Sequence, residues 1–136
     1  MSTFKLEIVA TDKVFFRGDA EFVVIPALDG EMGVLAGHDT MVAAVKAGEL
    51  RYTVNGQTEL CAVGDGFAEI LGDRVTIICD LAERAVDIDV MRAERAKERA
   101  EERIQAKKSQ IEFVHSQAAL ARAMARLKVT SKINKR

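Results

Sequence analysis

The stretch that decides the fold spans residues 85–108, AVDIDVMRAERAKERAEERIQAKK, where the hydrophobic pattern changes its period. Its apolar residues recur three and four positions apart: Ala93, Ala96, Ala100 and Ile104. Charged residues fill the positions between them. This spacing places the apolar residues on one side of an α-helix and the charged residues on the other sides. The segment therefore predicts an amphipathic helix with a stripe of small side chains.

Polar residues mark both ends of this predicted helix. Asp87 and Asp89 are suitable caps or first-turn residues, because a carboxylate accepts from the free N–H groups of the first turn. The helix is expected to run to about residue 108. Ser109-Gln110 then predicts a break, since serine competes for backbone hydrogen bonds.

A second helix is predicted over about residues 111–129. Its proposed apolar stripe consists of Ile111, Val114, Ala118, Ala121 and Ala125. The remaining tail, SKINKR, starts at Ser131 and has no apolar pattern, so we expect it to fray.

Alanine dominates both stripes. Small side chains let two antiparallel helices approach closely, but each buries little area. At roughly 0.8 kcal/mol per buried CH₂-sized group, a few alanines contribute only a few kcal/mol. The loss of backbone freedom opposes that gain. We therefore expect a hairpin that docks weakly and can leave its partner surface, which is the physical basis of a switch.

The chain before this hairpin has a period of two. Phe4, Leu6 and Ile8 alternate with charged residues, a pattern that buries one face of a strand. The predicted strands are 4–8, 14–17, 21–25, 33–35, 41–45, 49–54, 58–63, 67–71 and 74–79. Asn55-Gly56 predicts a tight hairpin turn, because both residues tolerate positive φ. Short strands with turns about every 8–12 residues favour a sandwich or flattened barrel.

The predicted fold class is therefore α+β. An N-terminal all-β sandwich, or flattened barrel, occupies residues 1–85, and a C-terminal antiparallel two-helix hairpin occupies residues 86–136. The charge also divides here. Residues 1–84 carry 14 Asp/Glu against 7 Lys/Arg, a net −7, and residues 85–136 carry 7 against 13, a net +6. The second module is suited to an anionic partner.

Several classes of protein are disfavoured by composition. No apolar run reaches the roughly 18 residues that span a bilayer, and the first residues lack a signal-peptide pattern. We expect a cytoplasmic chain whose link to the membrane runs through a partner. Cys61 and Cys79 are isolated, which predicts two buried small hydrophobic residues and no metal site. There is no nucleophile–base–acid set and no Walker A loop, so we predict no enzyme activity.

Motifs along the chain point to a known family. They are, in order, DGEMGVLAGH (29–38), GDGFAEI (64–70), DRVTII (73–78), IDVMRA (88–93) and ARAMARL (121–127). The family counterparts are G-E-L-G-I-x-P-G-H, S-G-G-F-x-E-V, the last strand, the nucleotide motif I-D-x-x-R-A and the second helix. On these motifs the chain resembles the epsilon subunits of bacterial F-type ATP synthases over essentially its whole length. It departs from them at Ala36, Thr40 and Ala47, where proline is usual.

The resemblance implies a non-catalytic rotor subunit of the central stalk, which couples ion-driven rotation of the c-ring to ATP synthesis. The sandwich would bind the gamma subunit and the c-ring, with Glu31 and His38 on the contact face. The subunit would sit peripherally on the cytoplasmic face of the bacterial cell membrane and contact the membrane only through the complex.

The resemblance also implies regulation by the hairpin. When extended, the hairpin would reach the alpha/beta hexamer and inhibit ATP hydrolysis. Its basic residues would face acidic loops of the beta subunits: Arg92, Arg95, Arg99, Arg103, Arg122, Arg126 and Lys128.

No cofactor is required, but the resemblance implies that regulatory ATP holds the hairpin folded against the sandwich. The candidate ATP-binding residues are Glu83, Ile88, Asp89, Arg92, Arg99, Arg122 and Arg126. A guanidinium group can donate two parallel hydrogen bonds to the oxygens of a phosphate. By spacing alone, a solvated charged face with local ion pairs is the other interpretation, and Glu83 would serve either as a ligand contact or as a cap.

The alternative function is a β-domain adaptor with a basic helical arm that binds nucleic acid. The net +6 of the arm permits it. However, Phe113 is the only aromatic residue of the arm available for base stacking, and acidic residues are interleaved with the basic ones. The prediction is therefore that nucleic acid is not a partner.

Overall fold

The computed structural model of the chain describes residues 2–106 and 109–134. In this described part of the chain, ten strands come first. They are β1 (Phe4–Ala10), β2 (Lys13–Ala20), β3 (Phe22–Ala27), β4 (Gly30–Val34), β5 (Met41–Val45), β6 (Gly48–Val54), β7 (Gln57–Val63), β8 (Gly66–Ile70), β9 (Arg74–Cys79) and β10 (Ala82–Arg84). A short 3₁₀ turn (Ala85–Asp87) leads to α1 (Val90–Ala106) and α2 (Gln110–Asn134).

The strands form one sheet in the order β10-β7-β6-β3-β5-β8-β9-β1-β2, and β4 pairs with β3. Strands β1 and β9 run parallel, and the other pairs given by the register are antiparallel. Strand β2 also contacts β6, and β1 contacts β10. The sheet therefore folds over on itself, which confirms the predicted sandwich followed by two helices.

The core lies between the two halves of the folded sheet. Phe4, Leu6 and Ile8 are buried, as their alternation predicts. The rings of Phe16 and Tyr52 lie 4.6 Å apart between β2 and β6 and join the two halves. Large aliphatic side chains complete the core, among them Ile25, Leu50, Val63, Ile70, Val75 and Ile77.

Both cysteines are buried free thiols, in agreement with the sequence prediction. Burial raises the pKa of the Cys61 thiol well above its ordinary value and raises the pKa of Cys79 to about 11. Because the thiolate is the reactive form, both side chains behave as small hydrophobic residues.

The strand predictions hold best where the alternation is strong. The predicted strands 41–45 and 74–79 match β5 and β9 at both ends. Asn55 and Gly56 have φ of 51° and 78°, as the predicted hairpin turn requires. Strand β10 was not predicted, because three residues are too few to show a period. Its pairing with β7 holds the chain in place immediately before the helices.

Asp89 and Ser109 cap the two helices, which confirms one predicted cap and the predicted break between the helices. The backbone N–H of Arg92 donates to Asp89 Oδ1 at 3.1 Å, so Asp89 caps α1. The backbone N–H of Glu112 donates to Ser109 Oγ at 3.1 Å, and Ser109 therefore caps α2. The predicted end of the first helix at residue 108 lies outside the described residues, and the structure follows α1 to Ala106.

The prediction that the second helix ends at residue 129 is wrong. Helix α2 continues to Asn134, so the described part of the SKINKR tail is helical. Tertiary contacts that a local pattern cannot show support this last turn. Thr130 is buried, Lys132 pairs with Glu49 of β6, and Ile133 packs on an apolar cluster at the sheet. The last two residues of the tail lie outside the described residues.

The predicted stripe of the second helix is also wrong in large part. Ile111, Val114 and Ala121 are exposed, while Ala118 is half-buried and Ala125 is buried. The other buried residues of α2 are Ser116, Ala123, Val129 and Thr130. Helix α2 contacts α1 and also β6, β7 and the 3₁₀ turn. Its buried residues therefore spread around the helix, and one stripe cannot describe them.

Candidate functional site

A cavity of about 370 Å³ lies where the strands give way to the helices, and we call it the hinge cavity. It is partly open and is bordered by the end of β10, the 3₁₀ turn, the first three turns of α1 and one arginine of α2. The lining residues are Glu83, Asp87, Ile88, Asp89, Arg92, Ala93, Ala96, Arg99 and Arg126. This volume falls within the range of small-molecule sites.

The hinge cavity collects all the candidate ATP-binding residues of the sequence except Arg122. Arg92 and Arg99 reach it together because they lie two turns apart on α1. Arg122 lies one turn before Arg126 on α2, towards the hairpin tip. The cavity is at the opposite end of the hairpin, beside the 3₁₀ turn, so Arg122, unlike the other candidates, does not line it.

Arg126 and Glu83 form a bidentate ion pair within the cavity. Arg126 Nε donates to Glu83 Oε2 at 2.9 Å, and Nη2 donates to Oε1 at 2.8 Å. Both side chains are about three-quarters buried, with 25% and 29% of their surface exposed. Glu83 therefore ties α2 to β10, a role the sequence did not reveal because the two residues are 43 positions apart.

The rest of the hinge cavity combines charge with small side chains. Three guanidinium groups, of Arg92, Arg99 and Arg126, share its lining with the carboxylates of Glu83, Asp87 and Asp89. Ala93 and Ala96 contribute little bulk and leave room for a flat group against α1. The arrangement can hold an anion by bidentate donation while a carboxylate accepts from a polar edge of the same ligand.

The part of the chain that the structure describes shows neither a metal-binding cluster nor a helix suited to crossing a membrane. The described residues contain no cluster of three or more His, Cys, Asp or Glu side chains arranged to hold a metal ion. Neither described helix combines the length and apolar character that crossing a membrane demands.

A second candidate surface is an apolar belt on the outer side of the sheet. The belt consists of Ala44, Phe67, Ile78, Val9 and Val14, which are direct cross-strand partners over β5, β8, β9, β1 and β2. Phe67 is 52% exposed, Ile78 45% and Val14 47%. A contiguous apolar row facing solvent is typical of an interaction surface.

The belt was not predicted from the sequence. In an alternating strand, the positions on the outer side are normally solvated. The pattern therefore gave no reason to expect an apolar surface there. One signal was available. Ile77 and Ile78 are consecutive apolar residues in β9, so both faces of that strand are apolar and one of them lies outside the core.

The two candidate contact residues lie near the β4 segment. Glu31 is in β4, is half exposed, and accepts from Arg51 Nη1 at 2.8 Å. His38 is half-buried in the following loop, with Nδ1 2.8 Å from the carbonyl oxygen of Asp39. The Gly37 N–H donates to the carbonyl of Gly72 at 2.7 Å and fixes this loop against the β8–β9 turn.

Comparison with known proteins decides the family. Residues 3–85 match the model "ATP synthase, Delta/Epsilon chain, beta-sandwich domain", and residues 87–131 match "ATP synthase, Delta/Epsilon chain, long alpha-helix domain". The chain belongs to the ATP synthase delta/epsilon chain family. The two matches cover the sandwich and the hairpin of this delta/epsilon family member in the order that the structure has them.

Relatives within the family are named epsilon chains. The ATP synthase epsilon chain of Ruminiclostridium cellulolyticum is 50% identical over 132 residues, which cover 97% of this chain and 98% of that one. The ATP synthase epsilon chain of Syntrophobacter fumaroxidans is 49% identical over 129 residues, which cover 94% and 96%. The resemblance to epsilon subunits seen in the sequence motifs is thereby confirmed.

Solved structures share the fold at lower identity. A chain of the mitochondrial ATP synthase of Euglena gracilis, described as OSCP/F1/c-ring, matches with a TM-score of 0.81 and 22% identity, covering all of this chain and 83% of that one. A chain from the central stalk/c-ring of the Tetrahymena thermophila enzyme matches with a TM-score of 0.67 and 10% identity, covering 95% and 97%.

Proposed function

We propose that this chain is the epsilon subunit in the central stalk of a rotary ATP synthase. It is a non-catalytic rotor subunit, peripheral on the cytoplasmic face of the membrane, that couples rotation of the c-ring to ATP synthesis. The match of both family domains, in order and over almost the whole chain, carries this proposal. The names of the relatives support it.

The apolar belt is the surface we assign to the gamma subunit. In the belt, apolar side chains of five neighbouring strands line up in register on the outer side of the described sandwich. Burying Phe67, Ile78 and Val14 against a partner removes their exposed area from water, at about 25 cal/mol per Å². Glu31 and His38 lie on a different segment, after β3, and we assign them to the contact with the c-ring.

The hairpin is the regulatory element, and its attachment to the sandwich is slight. The apolar part of that attachment consists of Ala62, Ala85, Ala125 and Val129, with Leu60, Ile88 and Ile133 at the margin. Alanine contributes about 0.8 kcal/mol per buried methyl, and the partly exposed Arg126–Glu83 pair contributes about 1 kcal/mol or less. Interactions with the alpha/beta hexamer can outweigh attachments of this size, so the hairpin can exchange between docked and extended states.

Regulatory ATP binds in the hinge cavity under this proposal. Arg92 and Arg99 hold the phosphates, and Arg126 adds the N–H groups that its pair with Glu83 leaves free. Asp89 and the remaining lone pairs of Glu83 accept from the adenine or ribose. Since the cavity is lined by both helices and β10, a ligand there favours the docked hairpin. At a concentration one hundred times its Kd, such a ligand stabilises the docked state by about 2.7 kcal/mol.

The brake is tested by removing the hairpin. Truncation after residue 85 is expected to raise the ATPase activity of the assembled enzyme while ATP-driven ion pumping remains coupled, because the sandwich keeps its own core and the belt. Unchanged ATPase activity in the truncated complex rules out the brake. Loss of the subunit from the complex rules out the assignment of rotor binding to the sandwich.

A further inference from the structure

Four charged side chains form a continuous chain of ion pairs from β4 through β6 to α2, which we call the ion-pair chain. Arg51 Nη1 donates to Glu31 Oε2 at 2.8 Å and to Glu49 Oε1 at 3.0 Å. Lys132 Nζ donates to the same Glu49 Oε1 at 2.8 Å. Arg51 Nη1 thus donates to two carboxylates, and Glu49 Oε1 accepts from two cationic side chains.

Glu49 is the centre of the ion-pair chain and is fully buried. Burial by itself raises the pKa of this carboxyl, but hydrogen bonds from Lys132 and Arg51 and the charge of Lys128 outweigh it and bring the pKa below its usual value. Glu49 is therefore ionised in the docked state. Its second oxygen, Oε2, has no hydrogen-bond partner among the described residues. A buried carboxylate needs its partners, so the contacts of Glu49 are energetically consequential.

The outer end of the ion-pair chain is accessible. Glu31 is 51% exposed, whereas Arg51 is 28% exposed. Glu31 and Glu49 line one groove together with Ala125 and Lys128 of α2. A cationic side chain of a neighbouring subunit can therefore reach Glu31 beside the docked helix.

We propose that the ion-pair chain relays the occupancy of Glu31 to the docking of α2. The proposal rests on the proposed function, in which Glu31 faces a rotor subunit. When a cationic side chain of that subunit pairs with the Glu31 carboxylate, Arg51 loses its outer partner. Its guanidinium group can then donate to Glu49 alone. Oε2 is free to accept a second N–H, so Arg51 can hold Glu49 without Lys132. The tie between α2 and β6 weakens, and contact at Glu31 favours release of the hairpin.

The relay is separate from the nucleotide site. Arg126 and Glu83 hold α2 to β10 at the hinge cavity, whereas Lys132 and Glu49 hold it to β6. The docked population of the hairpin is thus set by two contacts that respond to different partners, one to nucleotide and one to the rotor face.

The test measures amide exchange of α2 in the isolated full-length chain. Glu31→Gln removes the outer partner of Arg51 without altering a buried residue. It is expected to speed exchange of the α2 amides about threefold, the size of a modest coupling within one network. Glu69→Gln, an exposed glutamate of β8, is the matched control and is expected to have no effect. An unchanged exchange rate in Glu31→Gln overturns the relay.

A double-mutant comparison separates the relay from general loosening. Lys132→Met breaks the last link, so Glu31→Gln is expected to add nothing in that background. Val129→Ala loosens α2 without touching the ion-pair chain, and there Glu31→Gln is expected to retain its threefold effect. Equal effects of Glu31→Gln in both backgrounds overturn the relay. Because no other subunit is present, either outcome is independent of whether truncation raises ATPase activity.

Discussion

Arg122 and Arg126 show how much the surroundings of a residue matter. They lie one helical turn apart on α2, and both belong to the candidate ATP-binding set. Arg126 lines the hinge cavity and pairs with Glu83, while Arg122 is not among the lining residues. Both residues are arginines of the same helix, and only one of them lines the cavity. They therefore form a matched pair for testing the cavity.

Arg126→Gln is expected to weaken ATP binding about tenfold, because it removes a charge-assisted contact worth about 1.5 kcal/mol or more. Arg122→Gln is expected to change it less than twofold. Titration of ATP into the isolated chain, followed by exchange of the helical amides, measures both. Equal losses in the two variants would place the site elsewhere on the hairpin, and no ATP-dependent protection in the unmodified chain would remove the nucleotide site altogether.

Helix α2 is the element on which docking depends. It contacts α1 on one side and the sandwich on another, and its residues Ala125 and Val129 are buried against Ala62 and Ala85. Met124, in contrast, is 52% exposed on the same helix. A helix with two buried sides has no single apolar stripe, which is why its stripe could not be read from spacing.

Val129→Ala is expected to lower the free energy of local opening of α2 by about 1–2 kcal/mol, since it removes two buried methyl-sized groups. Met124→Ala is expected to change this free energy by less than about 0.5 kcal/mol. Native-state amide exchange of the two variants gives both values. A Met124→Ala effect as large as that of Val129→Ala would mean that α2 docks by a different side.

At the scale of the whole molecule, the apolar belt and the surface on which the hairpin docks lie on different strands of the sandwich. The apolar belt lies on the outer side of β5, β8, β9, β1 and β2, whereas α2 contacts β6 and β7. The strands that carry the belt are thus separate from those that carry the hairpin. The sandwich can remain bound to the rotor through the belt while the hairpin docks or extends.

Phe67→Ser is expected to weaken binding to the isolated gamma subunit about 30-fold, because a central aromatic residue of an interface commonly contributes about 2 kcal/mol. Leu28→Ser alters another exposed apolar residue, in the turn before β4, and is expected to leave this binding unchanged. Calorimetric titration with full-length chains measures both variants. Unaltered affinity in Phe67→Ser would exclude the belt as the gamma contact.

Much of the architecture followed from interactions within a few residues of chain. The change of period near Ala85, the Asn55-Gly56 turn and the Asp89 cap all act locally, so the sequence alone determined a strand module followed by two helices. The motifs carried the family resemblance, and the candidate set for the hinge cavity came from that resemblance together with the helical spacing of the arginines.

The long-range contacts were decided only by the tertiary structure. Arg126 meets Glu83 across 43 positions, and Lys132 meets Glu49 across 83. The belt likewise depends on the register of five strands. Local spacing does not specify how one element packs on another, because the same helical face or strand face can be satisfied by solvent or by any complementary neighbour. The attachment of α2, and with it the ion-pair chain, therefore became visible only once the packing was known.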